Sequence, residues 1–251
     1  MEKVVLMTGI KRVGREIAGN LLSRGYTLSV VYRSSEKEVE ELRKEAEGSG
    51  LGFLSLKADL MEEGEWERVV EETFNRFGRL DAFIHLASPY RRTPVLKTRL
   101  SDLREHARPI AEAFFFISIN SYEKMLKNPG DTKGRIIAFG DWAVEETPYR
   151  DFGAYFLAKG TLHTAVKVLA KEFAPYVLVN CIALGPTLKA EELSDEEWEG
   201  ILRRTPLRRK VSMKDVVALT NFLLEAESIT GEVIRLDSGR HLAGSGITLT
   251  V

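Results

Sequence analysis

The sequence predicts an α/β fold in which helices cover both faces of one parallel sheet of about seven strands. Short apolar runs alternate with longer segments of helical period along the whole chain. The runs are rich in Val, Ile, Leu and Phe and lack strict polar alternation, which is typical of parallel strands buried on both faces. One strand and one helix recur about every 25–30 residues, which indicates right-handed βαβ crossovers and a doubly wound sheet.

The candidate elements follow from these patterns. The candidate strands are residues 4–8, 28–32, 53–56, 82–86, 135–139, 177–183 and 232–236. The candidate helices are residues 14–24, 36–47, 66–77, 100–126, 154–173 and 214–225. The stretch 185–210 is long and irregular and contains two prolines, so we expect a lid or substrate loop there, within a single domain of residues 1–251.

The composition excludes several classes of protein. The 36 Lys and Arg residues nearly balance the 37 Asp and Glu residues, so no overall field would draw the chain to nucleic acid or an anionic membrane. The apolar stretch 113–119 is too short to span a bilayer, and residues 1–3 lead directly into an apolar strand without the layout of a signal peptide. The single cysteine, Cys181, excludes an intramolecular disulfide, and the histidines lack metal-ligand spacing. We therefore expect a cytoplasmic protein without a metal.

The turn after the first strand has the composition of a phosphate-binding loop. It reads Thr8-Gly9-Ile10-Lys11-Arg12-Val13-Gly14 and leads into the first candidate helix. Glycines at such a turn let backbone N–H groups approach a pyrophosphate, and the helix N-terminus adds partial positive charge. Any βα turn can require a glycine, but the position at the first strand and first helix favours dinucleotide binding.

The end of the second strand indicates which dinucleotide. An NAD enzyme places Asp or Glu here to bind the adenosine 2′-hydroxyl, whereas this chain has Arg33 and Ser34. Arginine with an adjacent hydroxyl suits a 2′-phosphate, although a solvated arginine at a strand end is the alternative. Asp59-Leu60, after the third strand, could reach the adenine or cap the following helix. The sequence therefore favours NADPH, and with it reduction.

Tyr155 and Lys159 stand four residues apart, so they project from one face of a candidate helix. A free tyrosine has a pKa near ~10 and is a poor acid at neutral pH. We expect the lysine to lower the pKa of Tyr155 by ~2 units, worth about 3 kcal/mol, and to bind the nicotinamide ribose hydroxyls. A Tyr-x-x-x-Lys pair can occur by chance in a long helix, but the upstream glycine turn strengthens it.

Together these motifs resemble those of the short-chain dehydrogenase/reductase family over essentially the whole chain. The motifs are Thr8-Gly9…Gly14, Asp59-Leu60, His85-Leu86-Ala87-Ser88, Tyr155…Lys159, Asn180…Gly185-Pro186, and Thr230-Gly231…Leu236-Asp237-Ser238-Gly239. The resemblance implies a Rossmann-type fold and an NADP site that includes Ala87, Ser88, Gly185 and Thr187. It also implies a homotetramer or dimer, with residues 100–126 and 154–173 at the interfaces.

Asp141 stands where most of that family has a serine that holds the substrate oxygen. A carboxylate here could orient Tyr155 or relay protons to it, or could simply cap a loop. Aspartate followed by the aromatic Trp142 resembles the pteridine reductase branch, which includes dihydromonapterin reductases. The same branch is indicated by Lys11-Arg12, Tyr32-Arg33-Ser34, His85, and Leu236-Asp237-Ser238-Gly239-Arg240-His241-Leu242. His85 itself could relay protons or be a satisfied histidine at a strand end.

The branch resemblance implies the substrate and its contacts. Tyr90 would sandwich a flat pterin against the nicotinamide, with stacking worth roughly 0.5–1.5 kcal/mol beyond burial, unless it is a surface aromatic. Reduction of a dihydropterin would then involve Arg12, Ser88, Tyr90, Asp141 and Tyr155. Two alternatives remain: a carbonyl or 3-oxoacyl thioester reductase, and an NADP-binding regulator without turnover. The regulator stays open because the family's helix-four asparagine has no counterpart around residues 108–111.

Overall fold

The computed structural model describes residues 2–190 and 193–243. Within these ranges seven parallel strands form one sheet in the order β3-β2-β1-β4-β5-β6-β7. The strands are β1 Val4–Thr8, β2 Thr27–Tyr32, β3 Phe53–Lys57, β4 Ala82–His85, β5 Gly134–Asp141, β6 Val177–Leu184 and β7 Val233–Leu236. The predicted fold class is confirmed, and each strand lies within two residues of its predicted bounds.

Helices cover both faces of the sheet. They are α1 Val13–Ser23, α2 Glu36–Gly48, α3 Glu63–Phe77, α4 Leu100–Ala107, α5 Ala113–Met125, α6 Gly153–Phe173, α7 Asp195–Arg203 and α8 Met213–Glu225. Apolar side chains of α3, α5 and α6 pack on one face of the sheet, and those of α1, α2 and α8 pack on the other. The strands β1, β2, β4, β5 and β6 are therefore almost wholly buried, which explains their continuous apolar sequences.

The single helix predicted over residues 100–126 is interrupted. A π-helical turn, Arg108–Glu112, joins α4 to α5 and carries Pro109 in its second position. Proline has no N–H and its ring clashes with the carbonyl four residues earlier, so regular α-helical bonding fails here. The helix is wider for this one turn, and regular α-helical bonding resumes in α5.

Part of the stretch predicted to be irregular is helical, because residues 193–210 contain α7. Ser194 Oγ accepts the backbone N–H of Glu197, whose carboxylate accepts the N–H of Ser194. This reciprocal capping box starts a helix, and the Ser-x-x-Glu spacing was readable in the sequence. No helix in the described part of the chain is long and apolar enough to cross a membrane.

Candidate active site

A cavity of about 660 Å³ opens at the carboxyl ends of β1, β4, β5 and β6. The order of the strands reverses between β1 and β4, and ligands of open α/β sheets bind outside such a switch point. The predicted residues that line this cavity are Gly9, Lys11, Arg12, Val13, Gly14, Ala87, Ser88, Tyr90, Asp141, Tyr155, Lys159, Gly185 and Thr187. The predicted site residues, which are far apart in the sequence, thus lie around one cavity.

Asp141, Tyr155 and Lys159 form a buried corner of the cavity. Tyr155 Oη donates to Asp141 Oδ2 over 2.9 Å, and Asp141 Oδ1 accepts the backbone N–H of Ala143, also at 2.9 Å. Lys159, one turn further along α6, donates to the carbonyl of Phe139 at 2.6 Å. The three side chains are therefore held by hydrogen bonds to β5 and its extension.

Close packing of α6 on β5 sets this geometry. Gly140 lies under α6, where an added Cβ would come within 2.1 Å of His163 Nε2. The missing side chain lets the helix approach the strand, so Tyr155 reaches the carboxylate of Asp141 at the strand's end.

The expectation that Lys159 lowers the pKa of Tyr155 is wrong. Burial, and next the negative charge of Asp141, raise the pKa of Tyr155 well above its ordinary value. Burial also raises the pKa of Asp141, against hydrogen bonds from Ala143, Tyr155 and Tyr149 and the charge of Lys159. Burial lowers the pKa of Lys159 to about 8. Sequence spacing shows which groups meet, but desolvation depends on how deeply the fold buries them.

His85 is hydrogen-bonded at both ring nitrogens. Its Nε2 lies 3.1 Å from the carbonyl of Ile110, in the π-turn, and its Nδ1 lies 2.8 Å from Thr8 Oγ1. Burial, with a smaller contribution from Lys159, lowers the pKa of His85 to about 3, so the ring is neutral. A carbonyl only accepts, so Nε2 carries the proton and Nδ1 accepts from the Thr8 hydroxyl. This arrangement favours the satisfied-histidine interpretation over a proton relay.

Thr8 does not line the cavity, because its side chain is buried against His85. The two glycines of the first turn are required by close packing. A Cβ at Gly9, which has φ of 76°, would lie 2.5 Å from the backbone nitrogen of Ala87, and one at Gly14 would lie 2.1 Å from the carbonyl oxygen of Gly9. Residues 9 and 11–14 of this turn line the cavity beside the start of α1, a position that fits the pyrophosphate of a dinucleotide.

Arg12 lines the cavity and also reaches the segment after β6. Its Nη2 donates to the carbonyls of Leu188 at 3.0 Å and Lys189 at 2.9 Å. The resemblance assigned Arg12 to cofactor phosphate and pterin. In this structure its guanidinium joins the glycine turn to residues 188–189 of the predicted substrate loop, and its assignment to phosphate and pterin stays a prediction.

The predicted adenosine end lies apart from the cavity lining. Arg33 and Asp59 meet at the ends of β2 and β3, with Nη1 and Oδ1 3.9 Å apart and both side chains largely exposed. Ser34 lies beside Arg33, and Leu60 is buried and accepts the indole N–H of Trp66 through its carbonyl. Asp59 Oδ1 accepts the N–H of Met61 at 3.1 Å, so it also organises the turn before α3.

Tyr90 is part of an aromatic wall, so its interpretation as a surface aromatic is wrong. Its ring stacks on Phe152 at 4.5 Å between centroids and meets Tyr155 edge-on at 5.1 Å. Tyr149 extends the wall, and its hydroxyl accepts the indole N–H of Trp142 at 2.5 Å. Sequence reasoning missed Tyr149 and Phe152, because they lie on an irregular loop without any periodic signal. Both residues shortly precede α6, the helix that carries Tyr155 and Lys159.

Sequence reasoning also missed the outer lining of the cavity. The additional residues there include Arg92, Arg150, Glu197, Trp198, Arg204 and Arg240. Glu197 and Trp198 belong to α7, which was predicted as irregular chain. Residues within 185–190 and 193–204 line the cavity, partly from a helix, and a role for this stretch as a lid or substrate loop stays a prediction.

Comparisons with known proteins define the family. A family model described as enoyl-(acyl carrier protein) reductase matches residues 9–241. The 3-oxoacyl-[acyl-carrier-protein] reductase FabG of Aquifex aeolicus is 31% identical, covering 94% of this chain and 96% of the relative. The dihydromonapterin reductase of Enterobacter sp. (strain 638) is 27% identical, covering 96% and 98%.

A solved structure shows the same likeness. FolM alternative dihydrofolate reductase 1 from Brucella canis, in complex with NADP, superposes with a TM-score of 0.87 at 26% identity, covering 99% of this chain and 98% of that one. The chain therefore belongs to the short-chain dehydrogenase/reductase family of oxidoreductases, as its motifs predict. Its relatives include members of the pteridine reductase branch as well as 3-oxoacyl reductases.

Proposed function

We propose that this protein is an NADPH-dependent reductase that acts on the C=N bond of a dihydropterin. The observation that carries the proposal is the hydrogen bond of 2.9 Å from Tyr155 to Asp141, in a cavity walled by Tyr90, Tyr149 and Phe152. A flat heteroaromatic ring suits such walls, because aromatic faces stack favourably. The relatives named dihydromonapterin reductase and FolM support the same substrate class.

NADPH, when bound, supplies the hydride from its nicotinamide. The glycine turn of residues 9–14 and the start of α1 would hold its pyrophosphate. Lys159 would bind the ribose hydroxyls, and Arg33 with Ser34 would bind the 2′-phosphate. The NADP bound to the Brucella canis relative supports this choice of cofactor.

Tyr155 would deliver the proton to the substrate nitrogen. Because burial and Asp141 raise the pKa of Tyr155, a phenolate left behind after donation would be costly. Burial also raises the pKa of Asp141, so its carboxyl group can hold a proton. A protonated Asp141 would donate to Tyr155 Oη across the same 2.9 Å and pass its proton to the tyrosine as the tyrosine gives up its own, so that no buried phenolate has to form.

The second candidate is a carbonyl reductase acting on a 3-oxoacyl thioester, which the FabG relative at 31% identity favours. Carbonyl reduction builds negative charge on the substrate oxygen. The carboxyl group of Asp141 is directed at Ala143 and Tyr155, whereas the family's usual serine would donate a hydrogen bond to that oxygen. The carboxylate therefore favours the pterin.

The test is an NADPH-oxidation assay that compares 7,8-dihydrobiopterin or dihydromonapterin with acetoacetyl-CoA. We expect kcat/KM to be at least about tenfold higher for the pterin. Turnover of the thioester alone would show a carbonyl reductase and overturn the proposal. NADPH binding without NADPH oxidation in the presence of either substrate would instead indicate the non-catalytic regulator.

We propose further that copies of the chain associate through α5 and α6, as a tetramer or dimer. Phe116 on α5 and Leu157 and Val168 on α6 expose 47%, 65% and 46% of their surface. Apolar side chains exposed on two neighbouring helices suit a contact between copies. A monomeric mass in solution by light scattering would contradict this.

A further inference from the structure

We propose that the outer end of the cavity is a subsite for an anionic group, a phosphate or carboxylate carried on the substrate's side chain, and that Arg204 and Arg240 bind it. This inference rests on the proposed function, because it assigns the far end of a substrate whose ring lies against Tyr155.

The cavity lining has more cations than carboxylates. Of its carboxylates, Asp141 is hydrogen-bonded to Tyr155, and Glu197 accepts from the backbone of Ser194 and from Arg92. Arg150, Arg204 and Arg240 have no ion pair with any residue within 2–190 or 193–243. The outer end is therefore a positively charged surface inside a concave site, which attracts an anion.

The turn after β7 holds Arg240 in place. Asp237 is buried, and its carboxylate accepts the backbone N–H groups of Gly239 at 3.0 Å and His241 at 2.8 Å. Gly185 packs directly beneath, where a Cβ would lie 2.5 Å from the Cα of Asp237. Arg240 thus projects from a rigid turn, so little conformational entropy is lost when it binds a ligand.

Arg204, just after α7, and Arg240, in the turn after β7, lie close to each other. Arg240 Nη1 donates to the carbonyl of Arg204 at 3.4 Å, and burial and the charge of Arg204 lower the pKa of Arg240. Arg204 Nε donates to the carbonyl of Gly200, which leaves its terminal nitrogens available. The charge of Arg204 outweighs that of Asp237 at Arg240, and a bound anion would offset the repulsion between the two arginines.

Trp142 connects this end of the cavity to the catalytic corner. Arg240 lies over its ring at 5.4 Å from the centroid, and its indole N–H donates to Tyr149. Tyr149 in turn hydrogen-bonds Asp141. A substrate whose ring occupies the aromatic wall can therefore extend along Trp142 and present a charged tail to the two arginines.

Two matched substrates test the subsite: 7,8-dihydromonapterin and its phosphate monoester on the side chain. In Arg204→Gln and Arg240→Gln we expect KM for the phosphate ester to rise about tenfold, the loss of one charge-assisted hydrogen bond. KM for the neutral pterin and for NADPH should change less than about twofold. The matched control is Arg203→Gln, at the exposed arginine that ends α7 next to Arg204 and lies outside the cavity lining, which should change none of the three.

Equal effects on both pterins would overturn the subsite, and so would a selective rise in KM for NADPH. Calorimetric binding of both pterins to the NADP⁺ complex separates this failure from that of the proposed function. Phosphate-selective binding that is lost in Arg240→Gln, without turnover, would uphold the subsite and refute the reductase. Turnover of both pterins without selectivity would uphold the reductase and refute the subsite. Binding of neither pterin would contradict both the reductase and the subsite.

Discussion

The catalytic corner and the adenosine end of this molecule are built in opposite ways. At the corner, Asp141, Tyr155 and Lys159 expose at most 8% of their surface and are hydrogen-bonded to β5 or to each other. At the adenosine end, Arg33 and Asp59 form a loose ion pair of 3.9 Å with side chains 69% and 46% exposed. A lost partner is replaced by water at the exposed end but leaves a costly unpaired group at the corner. Substitutions should therefore have far larger effects at the corner.

The largest effect is expected for Tyr155→Phe. This change removes the proton donor and leaves Asp141 Oδ2 buried without that hydrogen bond. Turnover should fall by ~10²–10⁴-fold, the usual contribution of a positioned general acid, while NADPH affinity is kept. Steady-state kinetics and cofactor titration measure the two quantities. The control is Tyr176→Phe, an exposed tyrosine that should retain full turnover. An unchanged rate in Tyr155→Phe would remove the tyrosine from the mechanism.

A smaller effect is expected at the exposed end, for Arg33→Asp. Loss of the cation and repulsion by the new carboxylate should raise KM for NADPH by about 10–100-fold and shift preference toward NADH, with kcat little changed. Lys44→Asp makes the same change of charge on exposed α2 and should leave the preference intact. If Arg33→Asp keeps its NADPH selectivity, Arg33 is not the phosphate ligand and the adenosine end lies elsewhere.

The last effect concerns stability near the corner. His163 is buried, its Nδ1 lies 3.7 Å from Glu145 Oε1 without a close hydrogen bond, and burial chiefly lowers its pKa to about 4. The unfolded chain takes up this proton near pH ~6.5, so stability is lost as pH falls from 6.5 toward 4, by at most about 1.4 kcal/mol per pH unit.

His163→Leu should remove that part of the loss, because leucine neither titrates nor needs a hydrogen bond. Urea unfolding between pH 7 and pH 4.5 measures it. The variant's free energy of unfolding should fall less steeply than that of the wild type. His241→Gln, at a half-exposed histidine, serves as control. Parallel pH curves for His163→Leu and the wild type would show that His163 is not buried in neutral form.

The sheet was predictable because its strands are continuous apolar runs. The π-turn at Arg108–Glu112 and helix α7 were not predicted, although Pro109 and the Ser194–Glu197 capping box signalled both. Strand runs are visible over five or more residues, whereas these features depend on one or two residues within a polar segment.

The candidate site, like the fold, was predictable only in part. Asp141, Tyr155, Lys159 and Tyr90 were predicted to meet, and they do, because motif spacing and strand ends determine which side chains converge. The direction of the Tyr155 pKa shift was predicted wrongly, since burial outweighs the charge of a neighbouring lysine. Arg240 escaped notice as a cavity residue, because its position depends on how the turn after β7 packs against α7.

We propose that Asp141, in place of the family's usual serine, selects a pterin over a carbonyl substrate. Its most direct test is the ratio of kcat/KM for dihydromonapterin to that for acetoacetyl-CoA, in the wild type and in Asp141→Ser. A serine hydroxyl can donate to a developing oxyanion but no longer holds a proton for Tyr155. We predict that the ratio falls at least about tenfold in the variant. An unchanged or higher ratio in a folded, NADPH-binding variant would contradict the claim.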